Sequence, residues 1–420
     1  SIWLTVSGGE TLISCLHTKS PMEKTPTVSR FVTVGREVVK QDYELLILIN
    51  PPGELLEITE QGNPRSYLSR AANMTKESLI QPYGIAADNN FYMTNHQDLI
   101  FVPEVELKDN QRMAEENPVR VEVERAVAKV VVSGVPEVVP HGDRIDNLKW
   151  GLDVTNQYTY WMRKMTFIAN SGGVPGEMEQ LNSGYREERY AEDPNFTGFS
   201  AWNGGNPAGQ FEYLSGTPEL TKDFDDYDYT LENTMEAVEQ RHDVTTRVVI
   251  SGTYTPNGFG SVATRNSGGI SFYYFKGNAI RVEAMRDMVN DRNLIPQELR
   301  DAGLEQAIND VLAWNPNAFN SPTASFSVGG LNFYYEGVCY YTVLIRHFSN
   351  NMVPVLMGYG RYGVVRNNVY QLSINKIIGP GQPVINPPGT DPDDEDTSWI
   401  SADVNIMRWY IRNQNVEELL

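Results

Sequence analysis

Short stretches that are apolar throughout, or that alternate between apolar and polar residues, recur along the chain between clusters of Gly, Pro, Asn and Asp. Such alternation is typical of strands with one buried face. Residues 43–49 form a continuous apolar run, which predicts a central strand buried on both faces. Further strands are predicted at residues 2–6, 91–93, 99–102, 148–154, 158–168, 247–254, 270–275, 333–348 and 369–377.

One segment has a helical pattern instead. Apolar residues recur at helical spacing between Pro296 and Asn315, and proline is typical of a helix start. The sequence therefore predicts an all-β fold with minor helical inserts, of which the main one spans about residues 281–316.

Residues 119–132 are apolar or alternating over a length that is unusual for one strand. At about 3.3 Å per residue the segment would span roughly 45 Å, which is longer than a single strand of a small β-sandwich domain. A strand that leaves one domain and enters the next explains this length. We therefore predict an N-terminal domain over residues 1–125 and a C-terminal domain over residues 126–378, with the boundary near Arg125.

Residues 379–420 form a third predicted unit. Residues 379–396 are rich in Pro, Gly and acid, and the run at 387–396 is expected to be stiff and not to pack. The strand-like segment that follows has apolar residues at alternate positions from Ile400 to Ile406. A detached strand with an apolar face needs a groove, either in its own fold or in a neighbouring molecule.

Composition excludes several functions. A net charge of −20 and a pI near 4.7 argue against nucleic acid or an anionic membrane surface as a partner. The sequence contains no nucleophile elbow, zinc-protease motif, phosphate-binding loop or Cys-x-x-Cys pair. We therefore predict no enzyme activity, no cofactor and no metal. The acidic run at 223–228 admits a calcium loop or a solvated loop, and the second is favoured because the EF-hand glycine and distal glutamate are absent.

The two cysteines, Cys15 and Cys339, both lie among apolar or aromatic residues. Two buried thiols and one bridge between them are both compatible with the sequence.

Several segments, taken in their order along the chain, resemble the Bacteroidales fimbrillins, the subunits of protease-assembled pili. The resemblance is greatest to the Mfa-type minor-fimbria shaft subunits. The resemblance rests on the set and its order rather than on any single motif. The segments are residues 121–130, 147–150, 229–234, 366–374, 379–381 and 404–409.

The resemblance implies two tandem transthyretin-like β-sandwich domains plus a C-terminal donor-strand tail. It also implies a lipoprotein precursor that is exported through the outer membrane to a cell-surface fimbrium and trimmed by an arginine-specific protease. Trimming removes the first strand, and the chain is expected to begin with that strand already absent. The tail of another subunit would then fill the open groove. The expected donor residues are Trp399, Ile400, Ala402, Val404, Ile406, Trp409 and Ile411.

We accordingly expect a pilus shaft subunit that polymerises head-to-tail with copies of itself and with related anchor and tip subunits, and that supports adhesion and biofilm formation. The alternative is a pilus tip or monomeric surface adhesin that binds a host glycan or protein, although a tip would be expected to lack a donor tail. A secreted glycoside hydrolase is a third reading, in which the aromatic segment at 158–161 would stack on sugars, although aromatic residues of the core are the commoner explanation of such a segment.

Overall fold

The computed structural model of the chain describes residues 2–6, 12–16, 37–52, 55, 71–81, 84–86, 90–96, 99–164, 191–196, 207, 209–260, 268–347, 360–394, 406–407 and 411–416. Most regular elements are strands. In chain order they are β1 (Ile2–Val6), β2 (Leu12–Leu16), β3 (Tyr43–Ile47), β4 (Ala71–Asn73), β5 (Met93–Asn95), β6 (Ile100–Val102), β7 (Val123–Arg125), β8 (Ala128–Ser133), β9 (Glu137–Val139), β10 (Arg144–Asp153), β11 (Thr155–Asn156), β12 (Tyr158–Tyr160), β13 (Phe211–Glu212), β14 (Tyr227–Thr230), β15 (Arg247–Thr255), β16 (Phe272–Phe275), β17 (Asn278–Arg281), β18 (Phe326–Val328), β19 (Leu331–Tyr334), β20 (Val338–Leu344), β21 (Val369–Ile374), β22 (Lys376–Ile378), β23 (Ile406–Met407) and β24 (Ile411–Val416).

The described helices are short. They are α1 (Lys76–Ile80), α2 (Gln111–Glu116), α3 (Val282–Asn290), α4 (Gln297–Asp301) and α5 (Leu304–Trp314). Three of them lie in the predicted insert, and α4 begins directly after Pro296. The prediction of an all-β fold with minor helical inserts is confirmed.

The larger core lies between two sheets of a sandwich. One sheet has the strand order β14-β8-β21-β24-β23, and the other has the order β10-β15-β20. Val130 and Leu372 from the first sheet are buried in the same cluster as Ile250 and Tyr341 from the second. In the first sheet, β8 and β21 alternate buried and less buried positions, as a sheet with one face on a core requires.

A four-stranded sheet with the order β17-β16-β19-β18 carries the helical insert. Phe272 and Tyr334 on this sheet belong to the sandwich core, whereas Tyr273 and Phe333 belong to a second core with Ile308 of α5. Successive residues of a strand point to opposite faces, so one sheet serves both cores. The insert is thus a third layer on the sandwich.

One predicted strand, at residues 333–348, is in fact two. The chain turns at Tyr335–Gly337, between β19 and β20, where Glu336 and Gly337 have φ of 51° and 70°. A Cβ on Gly337 would lie 2.4 Å from the Tyr254 carbonyl oxygen, so the backbones approach too closely for a side chain. Apolar periodicity did not reveal this turn, which moves the chain from the insert sheet to the sandwich.

The N-terminal strands form a separate sheet with the order β2-β1-β3-β6. The segment between the two regions breaks at Ala126 and Val127. Before the break β7 pairs with β5, and after it β8 pairs with β14 and β21. The division into domains at Arg125 remains a prediction, but the segment does pass from one sheet to another at this point.

A buried ionic network lies where these regions meet. Arg163 contacts Glu124 at 2.7 Å and Glu232 at 3.4 Å, and the Arg366 guanidinium contacts Glu232 at 3.2 Å. Glu124 belongs to β7, whereas Glu232 and Arg366 lie near the ends of β14 and β21. The four side chains are at most 4% exposed. Two buried arginines thus face two buried glutamates, so each buried charge has a partner of opposite sign.

Candidate functional site

The candidate site is one edge of the sandwich, where β21 meets the C-terminal tail. On one side β21 pairs in parallel with β8, from Val369 opposite Lys129 to Ser373 opposite Ser133. On the other side it pairs in parallel with β24, from Val369 opposite Ile411 to Ile374 opposite Val416. The tail of the chain therefore supplies a strand to its own sheet, and β23 continues that sheet as an antiparallel hairpin partner of β24.

The acceptor strand β21 is held rigidly from within. Its core-facing residues Tyr370, Leu372 and Ile374 are buried. The Tyr370 hydroxyl accepts the Val365 N–H at 2.7 Å and lies 2.7 Å from Nδ1 of His347. These contacts fix the start of β21, so the edge that pairs with β24 is held in a defined position.

The first part of the tail is anchored to the sandwich by tyrosine hydroxyls. Tyr341 donates to the Gly379 carbonyl at 2.8 Å, and Tyr334 donates to the Pro380 carbonyl at 3.2 Å. Gln382 and Tyr340 exchange two backbone hydrogen bonds of 2.8 Å each. A Cβ on residue 381 would lie 2.2 Å from the Tyr340 carbonyl oxygen, which is why glycine is needed there.

The next part of the tail continues along the same body. Ile385 is buried and exchanges backbone hydrogen bonds of 2.9 and 2.7 Å with Gly216. The His242 N–H donates to the Asp391 carbonyl, and the Asp393 N–H donates to the Gln240 carbonyl, each at 3.1 Å. We call residues 379–394 the tail root.

The expectation that the acidic run does not pack is wrong for Asp393 and Asp394, which are buried. Asp394 is ion-paired with Arg361 at 3.0 Å and accepts from the Tyr362 hydroxyl at 2.8 Å. Asp393 is also buried and accepts from the Thr245 hydroxyl at 2.5 Å. The partners come from distant parts of the chain, so the local excess of acid in the sequence gave no sign of them.

The predicted donor residues are only partly described. Ile411 begins β24 opposite Val369, and Ile406 lies in β23 opposite Arg412. Trp399, Ile400, Ala402, Val404 and Trp409 lie outside the described residues. The segment paired with β21 is 411–416, which is mainly polar between Ile411 and Val416. The alternating apolar segment is thus not the one seen beside β21, and its role as a donor stays a prediction.

The other sequence candidates have ordinary partners. In the acidic run at 223–228, Asp223 pairs with Lys149 at 2.6 Å and Asp228 pairs with Lys76 at 2.9 Å. In the part of the chain that the structure describes, no three His, Cys, Asp or Glu side chains are grouped as a metal site. Cys339 is a free thiol, and burial raises its pKa to about 12. Among the described helices, none is long and apolar enough to span a membrane.

Two family profiles match the sequence. The profile of the major fimbrial subunit protein FimA matches residues 6–125. The profile of the C-terminal part of fimbrillin, the type IV major fimbrial subunit protein, matches residues 332–415. Residues 126–331, which include the helical insert, lie between the two matched segments. Among curated protein sequences, none matches this chain.

Solved structures of low sequence identity are also similar to this chain. A fimbrillin (FimA) from Porphyromonas gingivalis is 14% identical, with a TM-score of 0.36, over 90% of this chain and 80% of that one. A putative cell adhesion protein from Parabacteroides distasonis is 12% identical, with a TM-score of 0.33, over 61% and 66%, which is just under two thirds of its length. The tip fimbrial protein Mfa3 from P. gingivalis is 10% identical, with a TM-score of 0.30, over 60% and 71%.

Proposed function

Since this chain belongs to the Bacteroidales fimbrillins, we propose that it is a fimbrial shaft subunit that polymerises by giving its C-terminal strand to a neighbouring copy. Membership of the family makes the chain a structural subunit of a cell-surface fimbrium rather than an enzyme, and its partners are other fimbrial subunits. The mode of assembly is the part that we propose.

The observation that carries the proposal is the pairing of β24 with the edge of β21. Without β24, a six-residue edge of N–H and C=O groups on β21 would be left unpaired, and such edges readily accept another strand. The same contact is available to residues 411–416 of a second copy. Exchange of an identical element keeps the contact and changes only the chain that supplies it.

The exchange has a direction, because the tail root stays on its own body while β24 lies further along the chain. The tail root is fixed to its own body as far as Asp394, whereas β24 begins at Ile411. The sixteen residues 395–410 lie between them, enough to span roughly 50 Å when extended. One subunit would give its tail to the next and accept the tail of the one before. Such a head-to-tail contact does not close, so it builds a filament.

The alternating segment around Ile400, Ala402, Val404 and Ile406 would add apolar burial in the neighbour. Three to five large side chains at about 1.5–3 kcal/mol each, with the backbone pairing, give on the order of 10 kcal/mol before entropy costs. Such a contact opens slowly, which suits a fibre exposed to shear. On the family's pattern, we also propose a lipoprotein precursor, export through the outer membrane, removal of an N-terminal strand, and a role in adhesion and biofilm formation.

The test compares the full chain with a version ending at Asp396, which keeps the whole tail root. Both are examined by electron microscopy and by gel sizing in SDS without boiling. The proposal predicts filaments or ladders only from the full chain. Monomers from both versions would favour the monomeric adhesin, and polymers from both would place the contact elsewhere.

A further inference from the structure

The tail root contains a buried carboxylate that forms no ion pair with any residue that the structure describes. Asp393 is 5% exposed, and none of the described residues donates a hydrogen bond to its Oδ1 atom. Its Oδ2 atom accepts from the Thr245 hydroxyl. Burial of an ionised carboxylate without a charged partner is strongly unfavourable, so this position calls for a neutral carboxyl group.

The charged groups around Asp393 are already committed to one another. The nearby arginines each hold another aspartate: Arg361 pairs with Asp394, Arg241 with Asp243, and Arg247 with Asp153. Tyr362 donates its hydroxyl to Asp394. Arg346 contacts the Tyr362 hydroxyl at 3.2 Å, and among the described residues none of these four arginines forms an ion pair with Asp393.

We propose that Asp393 is a proton-controlled latch that holds the tail root on the body while it is protonated and loosens it on ionisation. Proton uptake at Oδ1 removes the buried charge without disturbing the Thr245 contact at Oδ2. The latch sits at the end of the anchored segment, so it governs how firmly the base of the tail is fixed. It does not depend on strand exchange between subunits.

The direction of the pH effect follows from linkage. Burial raises the pKa of the Asp393 carboxyl to about 8; the Thr245 hydrogen bond and the charge of Arg247 lower this pKa, whereas the charges of Asp394 and Asp243 raise it further. In the released root the pKa would return to about 3.9. The docked state therefore binds one more proton between these values. Docking is strongest below about pH 4, weakens tenfold per pH unit up to about pH 8, and is constant above that.

The experiment measures amide hydrogen exchange in the monomeric form of the chain from about pH 6 to about pH 8. Protection factors are taken relative to an unstructured peptide at the same pH, for segments containing the Asp393 and His242 amides, whose hydrogen bonds exist only when the root is docked. Amides of β15 serve as the internal reference. We expect protection in the root to fall by up to about 100-fold over this range.

Asp393→Asn should remove the pH dependence, because the amide is neutral throughout and its oxygen still accepts from Thr245. Asp391→Asn is the matched control, since Asp391 lies in the same segment but is exposed, and it should keep the wild-type slope. A flat wild-type profile, or an unchanged slope in Asp393→Asn, would overturn the latch. Protection restored at high pH by millimolar CaCl2 would also overturn it, since a cation rather than a proton would then neutralise the site.

Discussion

Glu232 is the residue whose removal should most damage the junction between the two sheet systems. Its carboxylate accepts from the Arg366 Nε and backbone N–H, each at 3.2 Å, and lies 3.4 Å from Arg163 Nη2. In Glu232→Ala, Arg163 keeps Glu124, but the Arg366 guanidinium, which is 2% exposed, loses its only charged partner in the network. Removing one partner of a buried ion pair typically costs about 3–5 kcal/mol.

That loss is a large part of the 5–15 kcal/mol by which a typical domain is stable. It is measured by equilibrium unfolding in urea, followed by the fluorescence of the buried Trp150 and Trp161, with linear extrapolation to water. Glu305→Ala is the control, because Glu305 also pairs with an arginine, Arg300, at 3.0 Å but is 43% exposed. The control should lose no more than about 1 kcal/mol. A loss in Glu232→Ala within about 1 kcal/mol of the control would refute the reasoning.

Two further predictions concern the tail root and the sandwich core. Gly381→Ala should displace the tail root and speed its limited proteolysis, because the added Cβ would lie 2.2 Å from the Tyr340 carbonyl oxygen. Gly389→Ala is the control: its added Cβ would meet no atom closer than 3.4 Å, so this variant should be cleaved like the wild type. Equal cleavage of both variants would show that residue 381 does not fix the root. In a Cys15→Ser background, Cys339 should not react with a thiol reagent at neutral pH until the protein unfolds, because the thiol is buried and its pKa is raised to about 12. Rapid reaction of the native protein would contradict this burial.

Much of the fold could be predicted from the sequence because its strands bury one face. The alternation in β8 and β21 appears directly as buried and less buried positions. The helical spacing of Leu304, Ile308 and Val311 likewise corresponds to the buried side of α5. Where the apolar periodicity of a segment matches its buried face, the local sequence pattern is enough to predict the strand or helix.

The tail root could not be predicted in this way. The run from Asp391 to Asp394 has the composition of a solvated linker, yet Asp393 and Asp394 pack because the fold brings Arg361, Tyr362 and Thr245 to them. The same holds for Glu124 and Glu232, which occupy strand-like segments and are neutralised by arginines distant in sequence. Long-range charge pairing leaves no local signal, so composition alone gives the wrong expectation at these positions.

The most direct test of strand exchange is a disulfide trap across the β21–β24 pair, in which Gln371 lies opposite Asn413. Directly paired residues of adjacent strands lie within the Cα separation that a disulfide spans, about 4.4–6.8 Å. In a Cys15→Ser background, Gln371→Cys and Asn413→Cys are made in separate chains, mixed, assembled and oxidised. We predict linked dimers from the mixture and none from either variant alone, with the double variant closing within one chain when it is kept monomeric. Filaments that form from the mixture without any linked dimer would contradict the account.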